Sequence, residues 1–460
     1  MKNNEGGENP PPSAGVRRLV GIIEGSHMKV CVIALGCEKN VINSEQMLTL
    51  IQRAGYELCD DPAEAGVTVV NTCGFIESAK QEAIEQILEI AEYPGKILVA
   101  GCMAERYKDE IMAEMPEVAG LVGVGRFDDI AGALRELEKG QTPRYFGPLD
   151  GPISETPRLV TSPGYTAFLK IADGCDNRCS YCAIPAIRGP YRSRPMENIL
   201  DEAKALCAAG AKELILIAQD TTRYGEDNYG GRKLPGLLEK LCAIEPLRWL
   251  RVQYLYPEAM TDSLIDVIAA QPKIVKYLDI PMQHSADAVL SAMNRRYTGG
   301  ELRGLITRLR ERIPGVVLRT SLIVGFPGES EADFEDLCAF LEETQLPRVG
   351  VFCYSREEGT PAAALPDQIG DETKKLRAER AEMIQSDVMD DFNHARLGTD
   401  ALVLCEGYDR YAGVYFGRSP AELPEVDGKV FFRAPGPIEP GAMVTVRLTE
   451  VFEGDIFGEA

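Results

Sequence analysis

Apolar and polar positions change rhythm three times along the chain. From Met28, short apolar runs alternate with stretches of helical period: residues 29–35 read as a strand, 44–54 as a helix, 67–70 as a strand, 78–92 as a helix and 97–100 as a strand. This alternation predicts a parallel sheet with helical crossovers, an α/β domain over residues 28–140. Residues 141–163 hold five prolines, which lack amide donors and fix φ, so the stretch reads as a linker.

Alternation resumes over residues 164–395, with strands expected at 167–171, 213–218, 249–254, 277–280, 316–323 and 349–354. Phe334, Leu337, Cys338 and Leu341 fall at i, i+3, i+4 and i+7, the stripe of an amphipathic helix. Six strand–helix units predict a barrel or partial barrel, whose chemistry gathers at the C-terminal strand ends. Over residues 396–460 the apolar runs shorten to 401–405, 413–416, 428–432 and 442–448, separated by Gly and Pro turns, which predicts a small β-barrel. The sequence has no internal repeat of fixed period.

Length agrees with this division: 460 residues suit three domains at about 150 each. Charge narrows the function. With 49 basic and 71 acidic residues the net charge is −22, a field that repels a phosphate backbone unless positive charge is gathered locally. A protein built chiefly to grip nucleic acid is disfavoured. No apolar run approaches the roughly 18 residues of a membrane span, so no membrane partner is expected. Residues 1–27 are polar, rich in Pro and Gly, and lack the apolar core of a secretory signal. They are expected to be a disordered head or a misassigned start ahead of Met28, and the expected compartment is the cytoplasm.

There are thirteen cysteines, an odd number, and in a reducing compartment clustered cysteines bind metal or react more often than they pair. Cys175-Asp-Asn-Arg-Cys179-Ser-Tyr-Cys182 places three thiols within eight residues, after the first strand of the second segment. Three thiolates so spaced can fold around one 4Fe-4S cluster and leave its fourth iron open to a small molecule. A zinc site missing a ligand and three chance thiols are the competing readings, although structural zinc takes four protein ligands.

A second set is dispersed. Cys37, Cys73 and Cys102 each follow a strand, and a parallel sheet brings the C-terminal ends of its strands to one edge. The neighbouring Gly36, Gly74 and Gly101 permit close backbone approach. Each cysteine alone reads as a small core residue. A dinucleotide is the usual tenant of such an edge, but no Gly-x-Gly-x-x-Gly follows the first strand. Three matched positions favour a second three-cysteine cluster. The other seven read as structural: Cys207, Cys242 and Cys338 on helix stripes, Cys31, Cys353 and Cys405 within strands, and Cys59 in a turn.

The triplet, with Tyr181 before its last cysteine, resembles the radical S-adenosylmethionine (SAM) enzymes. The resemblance implies that Cys175, Cys179 and Cys182 hold a 4Fe-4S cluster whose open iron chelates SAM, that reduction cleaves SAM to a 5′-deoxyadenosyl radical, and that Tyr181 lies beside the adenine. Taken with Cys37, Cys73 and Cys102 and the C-terminal barrel, residues 28–460 resemble the methylthiotransferases. The motifs are Leu35-Gly-Cys-Glu-Lys-Asn40 with Ser44-Glu45, Asn71-Thr-Cys-Gly-Phe-Ile76, Ala100-Gly-Cys102, and Asp173-Gly-Cys175 through Arg188-Gly189. That family implies an N-terminal α/β domain, a radical SAM partial (β/α) barrel and a TRAM-like β-barrel, the last usually an RNA binder. It also implies two 4Fe-4S clusters, one auxiliary on Cys37, Cys73 and Cys102 and one SAM-binding, with SAM as both methyl source and radical source.

Within the family, Ile217-Ala-Gln-Asp-Thr-Thr222, Tyr277-Leu-Asp-Ile-Pro281, Tyr354-Ser355 and Glu425-Val-Asp-Gly428 resemble the branch that adds a methylthio group to the β-carbon of an aspartate in ribosomal protein S-twelve. Charge is an independent argument. Residues 398–460 carry eleven acidic and five basic side chains, a net −6, which suits a basic protein partner better than RNA. The expected partners are therefore ribosomal protein S-twelve or the small subunit, and a reductant protein, with direct RNA binding not dominant. A tRNA-adenosine methylthiotransferase is the nearest alternative; a two-cluster electron carrier or scaffold is the alternative of another class.

A carbon radical has to meet sulfur before it is quenched, so both clusters are expected to face one closed cavity. Arg188, Arg192 and Arg194 read either as holders of an anionic group such as the SAM carboxylate or as a solvated face. His284 reads as an ordinary hydrogen-bonded histidine before it reads as a site residue. Asp220 and Arg319 lie near strand ends, in positions compatible with SAM contacts. None of these is assigned a catalytic role.

Overall fold

The computed structural model describes residues 28–460 and the short strand Arg17–Arg18; the expectation of a disordered head or misassigned start at 1–27 otherwise falls outside the described residues. The chain divides into two compact units, Met1–Thr161 and Ser162–Ala460.

In the first unit, strands Lys29–Ala34, Val67–Thr72, Lys96–Gly101 and Val118–Val122 lie side by side and parallel. Alternate residues of each strand face opposite layers. Val30, Val32, Val69 and Leu98 pack toward helices Glu38–Arg53 and Ile130–Glu138, while Cys31, Ile33, Val70 and Val99 pack toward helix Glu77–Ile90. Burial on both faces is why these strands read as unbroken apolar runs.

Two departures from expectation share one cause. The first helix begins at Glu38, six residues earlier than its apolar period predicts. Its opening turns carry buried polar residues, among them Asn40, Asn43, Ser44, Glu45 and Gln46, so a hydrophobic signal is absent where the helix starts. Some of those groups bind the stretch expected to be a linker. The Glu45 carboxylate accepts from Arg158 Nη1 at 2.7 Å and from the Thr161 amide at 2.8 Å, and Gln46 Nε2 donates to the Ser154 and Thr156 carbonyls. Arg144–Tyr145 moreover adds a short parallel strand beside Val118–Val122. Residues 141–161 are thus folded onto the domain, because side chains of the first helix satisfy what the prolines leave unpaired.

In the second unit, strands Thr166–Lys170, Glu213–Ile217, Trp249–Val252, Ile274–Asp279, Val317–Val324 and Arg348–Cys353 form an all-parallel sheet in chain order, an open partial barrel. Helices such as Met196–Ala208, Gly299–Arg312 and Glu331–Thr344 cover its outer face through the largest apolar core. The last strands, Asp400–Asp409, Val414–Arg418, Val430–Arg433, Met443–Phe452 and Asp455–Glu459, close a separate small barrel. Its fifth strand is short, contains Gly458 and has acidic ends, so it lacks a strand signal; it is recruited by parallel pairing to Val430–Arg433. Cys59, expected in a turn, is the last residue of a strand, Glu57–Cys59, paired to Lys29–Cys31.

A buried ionic seam joins the small barrel to the N-terminal ends of the large one. Glu213, the first residue of its strand, accepts from Arg251 Nε at 3.0 Å and Arg418 Nη2 at 2.7 Å. Arg348 and Arg396 converge on Glu422, and Tyr277 donates to Asp427 at 2.6 Å. Burial alone would raise the Glu213 pKa, but Arg418 and Arg251 hold it down at about 2. Glu213→Gln removes the counter-charge of buried Arg251 and leaves buried Arg418 with Glu406 alone, and is expected to cost ~3–5 kcal/mol, read as a lower urea midpoint. A carboxylate held below its ordinary value stabilises above that value and loses its contribution as pH falls. The gap between wild type and variant should therefore close between pH 4.5 and about 2.

Candidate functional site

The register of the first sheet aligns three strand ends. Ala34 pairs with Asn71, Asn71 with Ala100, and Thr72 with Gly101. Cys73 follows Thr72 directly, Cys102 follows Gly101 and opens a helix, and Cys37 is the N-cap of helix Glu38–Arg53. At Gly36 φ is +83°, and a Cβ there would stand 2.5 Å from Cys73 Cβ and 3.2 Å from its Sγ. Only glycine lets the Cys37 loop lie on Cys73.

Asn40, 1% exposed, ties the three loops together. Its Nδ2 donates to the carbonyls of Leu35 and Thr72, both at 3.0 Å, and its Oδ1 lies 3.8 Å from Cys102 Sγ. Asn71 in turn donates to the Asn40 carbonyl and to Ser44 Oγ, both at 2.9 Å. The sheet edge thus gathers three soft sulfur donors on a braced backbone.

In the second unit the triplet lies between Ala172–Asp173 and helix Ile184–Arg188. Cys175 and Cys179 are buried, and Cys182 and Tyr181 are half-buried. Gly174 at φ +78° brings the loop so close to Pro190 that a Cβ would lie 2.0 Å from its carbonyl. Ser180 donates from its amide to the Met293 carbonyl and from Oγ to the Ala292 carbonyl, while Asn294 Nδ2 donates to the Arg178 carbonyl. Tyr181 packs beside a cluster containing Phe326 and Tyr354.

Burial pushes the Cys175 thiol up to about 12 and raises Cys182 as well, with Cys179 adding to both. Both are neutral thiols near pH 7, so binding a metal there releases protons and depends on pH. Among the described residues no three His, Cys, Asp or Glu side chains form a group that could hold a single metal ion. The triplet therefore offers no ready zinc cage. A 4Fe-4S cluster makes a different demand, since each thiolate takes its own iron, and sulfur donors on one braced loop meet it.

The three arginines after the triplet are committed elsewhere. Arg188, 2% exposed, places Nη1 at 3.1 Å from both Asp173 oxygens; Arg192 donates to the Arg188 and Pro190 carbonyls; Arg194 bonds the Lys170 carbonyl and Glu202. They are neither a solvated face nor a ready anion site, because a charge run looks the same in sequence when its partners come from other segments. His284 Nδ1 accepts from the Ala286 amide at 3.0 Å, which puts the proton of the neutral ring on Nε2, facing Glu329 at 3.6 Å. It is a buried structural histidine. Asp220 caps a short helix and accepts from Asn177 at 2.8 Å, tying it to the cysteine loop. Arg319 pairs with Asp279 at 2.8 Å.

Arg295 escapes sequence reading. It is buried, its Nη1 lies 3.3 Å from Cys179 Sγ, and its guanidinium stacks 4.5 Å from the Tyr256 ring centroid. The Tyr256 hydroxyl itself lies 3.6 Å from the same sulfur. A period-two pattern, Met293, Arg295 and Tyr297 buried between exposed neighbours, is the signal that marks this arginine as inward.

Comparison with known proteins follows this geometry. Residues 29–123 match the uncharacterized protein family UPF0004, 169–341 the radical SAM superfamily and 397–460 the TRAM domain. A ribosomal protein uS12 methylthiotransferase RimO of Pelotomaculum thermopropionicum is 49% identical over 440 residues, 94% of this chain and 99% of that protein. The proteins of the same name from Desulforudis audaxviator and Geobacter sulfurreducens are each 46% identical, over 92% and 94% of this chain and 94% and 98% of their own. Among solved structures, the radical S-adenosylmethionine methyltransferase TsrM from Kitasatospora setae, with cobalamin and a 4Fe-4S cluster bound, superposes with a TM-score of 0.54 at 15% identity, over 71% of each chain, a likeness of fold. By near-full-length similarity to such relatives, the chain belongs to the ribosomal protein uS12 methylthiotransferase (RimO) family of the radical SAM superfamily.

Proposed function

We propose that this chain adds a methylthio group to the β-carbon of an aspartate in ribosomal protein uS12. The observation that carries the reading is the span of the similarity: 49% identity over 94% of the chain and 99% of the relative, a span that takes in all three family matches of this chain. Cys175, Cys179 and Cys182 would hold the SAM-binding 4Fe-4S cluster, Cys37, Cys73 and Cys102 the auxiliary one, and Tyr181 would lie against bound SAM. When bound, these groups supply one-electron chemistry able to activate a C–H bond, a methyl group, and a site for the sulfur that is transferred.

The chain's own residues supply geometry. Asp173 fixes the backbone just before Cys175, Asn294 that just before Cys179, and Asn40 holds the three dispersed loops at one level. A protein substrate is favoured over RNA by where the C-terminal cations go. Of the five in residues 398–460, Arg418 is buried on Glu213, Arg447 pairs with Asp400, and Lys429 stacks on Phe416. Even with Arg447 and Lys429 at the surface beside Arg410 and Arg433, five cations face eleven acids, which leaves a phosphate backbone little to bind. A reductant protein is the second partner, since the cluster chemistry consumes electrons that this chain does not store.

Two measurements test the reading. Intact-mass analysis of uS12 from cells lacking the gene should show loss of the mass of a methylthio group replacing one hydrogen. Unchanged uS12 together with a methylthio loss from tRNA nucleosides would overturn the assignment. In the purified protein, Gly36→Ala forces a side chain onto Cys73 at an unfavourable φ. After anaerobic reconstitution its iron should drop by about half while reduced protein still cleaves SAM. If Cys37, Cys73 and Cys102 changed together to Ala leave the iron content intact, the auxiliary set is wrong.

A further inference from the structure

We infer that Arg295 is a positioning residue that raises the reduction potential of the cluster held by Cys175, Cys179 and Cys182; the inference rests on the reading of those cysteines as ligands. Its Nη1 donates to Cys179 Sγ at 3.3 Å, the only one of the three sulfurs with a guanidinium contact among the described residues. The group is held from several sides. Nε donates to the Tyr297 hydroxyl at 2.6 Å, Nη2 donates to the Pro281 carbonyl, and the plane lies over the Tyr256 and Tyr297 rings at 4.5 and 5.2 Å. Tyr297 is itself anchored on the Met282 carbonyl at 2.8 Å.

Among the described residues, the hydrogen bonds of Arg295 go to a sulfur, a carbonyl and a phenol and to no carboxylate. A buried cation without a counter-ion is costly, and an anionic neighbour offsets that cost. A thiolate-ligated cluster is such a neighbour. On taking up one electron it gains one negative charge, so a fixed cation and an N–H bond to a ligand sulfur favour the reduced form more than the oxidised one. The electron comes from an external one-electron donor of the flavin or iron–sulfur class, and the sites of bond breaking elsewhere are unaffected. Arg295 thereby brings the cluster within reach of a milder donor.

The test is a redox titration of the reconstituted holoprotein followed by electron paramagnetic resonance, with Arg295→Met and Arg295→Lys beside wild type. Iron content and circular dichroism are measured on the same samples. The midpoint of the SAM-binding cluster should fall in Arg295→Met and fall less in Arg295→Lys, while that of the auxiliary cluster stays in place as the internal reference. If Arg295→Met does not load, Arg295→Lys carries the comparison. A loaded variant with an unmoved midpoint overturns the inference, as does loss of the cluster from both variants, which would make Arg295 a residue of folding. Failure of the underlying reading looks different: Cys175, Cys179 and Cys182 changed together to Ala would leave the same resonance.

Discussion

The loop that carries the cysteine triplet hangs on one buried carboxylate. Asp173 accepts from Arg188 Nη1, from Lys170 Nζ at 3.2 Å, from Gln219 Nε2 at 3.1 Å and from the Gly174 amide at 2.9 Å. These partners come from the end of the first barrel strand, the helix beyond the triplet, and the segment after the second strand. One side chain therefore fixes both flanks of residues 174–188. Burial works against its charge, yet Arg188 and Lys170 hold the carboxyl well below its ordinary value, so the brace is fully ionised wherever the protein is folded near neutral pH. Removing the charge would take from buried Lys170 and Arg188 the carboxylate they share, a change that typically costs more than the pair itself contributes.

The two cysteine sets solve one problem by different means. A parallel sheet delivers all its chain turns to one edge, so ligands can be collected either from one long loop or from several short ones. The triplet uses one loop and is legible from spacing alone. The dispersed set depends on register: Cys37, Cys73 and Cys102 share an edge only because Ala34, Asn71 and Ala100 stand level on adjacent strands. Loops of different length then need a common fastener, and Asn40, which reaches Leu35, Thr72 and the Cys102 sulfur, is that fastener.

What sequence reading recovers follows from this physics. Strands buried on both faces announce themselves as continuous apolar runs, and all six strands of the large barrel and three of the four parallel ones of the first sheet are legible, while Val118–Val122, a run of five residues broken by Gly120, is not. Signals fail where a buried surface is polar. The start of helix Glu38–Arg53 hides behind Asn40, Ser44, Glu45 and Gln46, and the packing of the proline-rich linker on its domain is not legible because its partners, Glu45 and Gln46, lie over a hundred residues earlier. Arg188 and Arg194 mislead for the same reason, since nothing adjacent in sequence reveals Asp173 or Glu202 as their counterparts. Arg295 is legible only in the alternation of Met293 and Tyr297 around it, a pattern too short to carry an argument by itself.

The ionic seam gives the acidic C-terminal barrel its meaning. Glu213, Arg251 and Arg418 meet at the N-terminal ends of the large barrel's strands, whereas the triplet follows the C-terminal end of Thr166–Lys170. A strand of five residues spans ~16 Å, about two Debye lengths at physiological salt. At that distance the barrel's exposed carboxylates do little to the electrostatics of the cysteine loop, and their field acts outward on whatever approaches. Because Arg348, Arg396 and Arg418 are locked into buried pairs, the small barrel is held at a fixed offset from the cysteine loop. A basic protein docked on that surface would meet the cysteine loop at one fixed offset, which is the condition for a defined rather than a random approach.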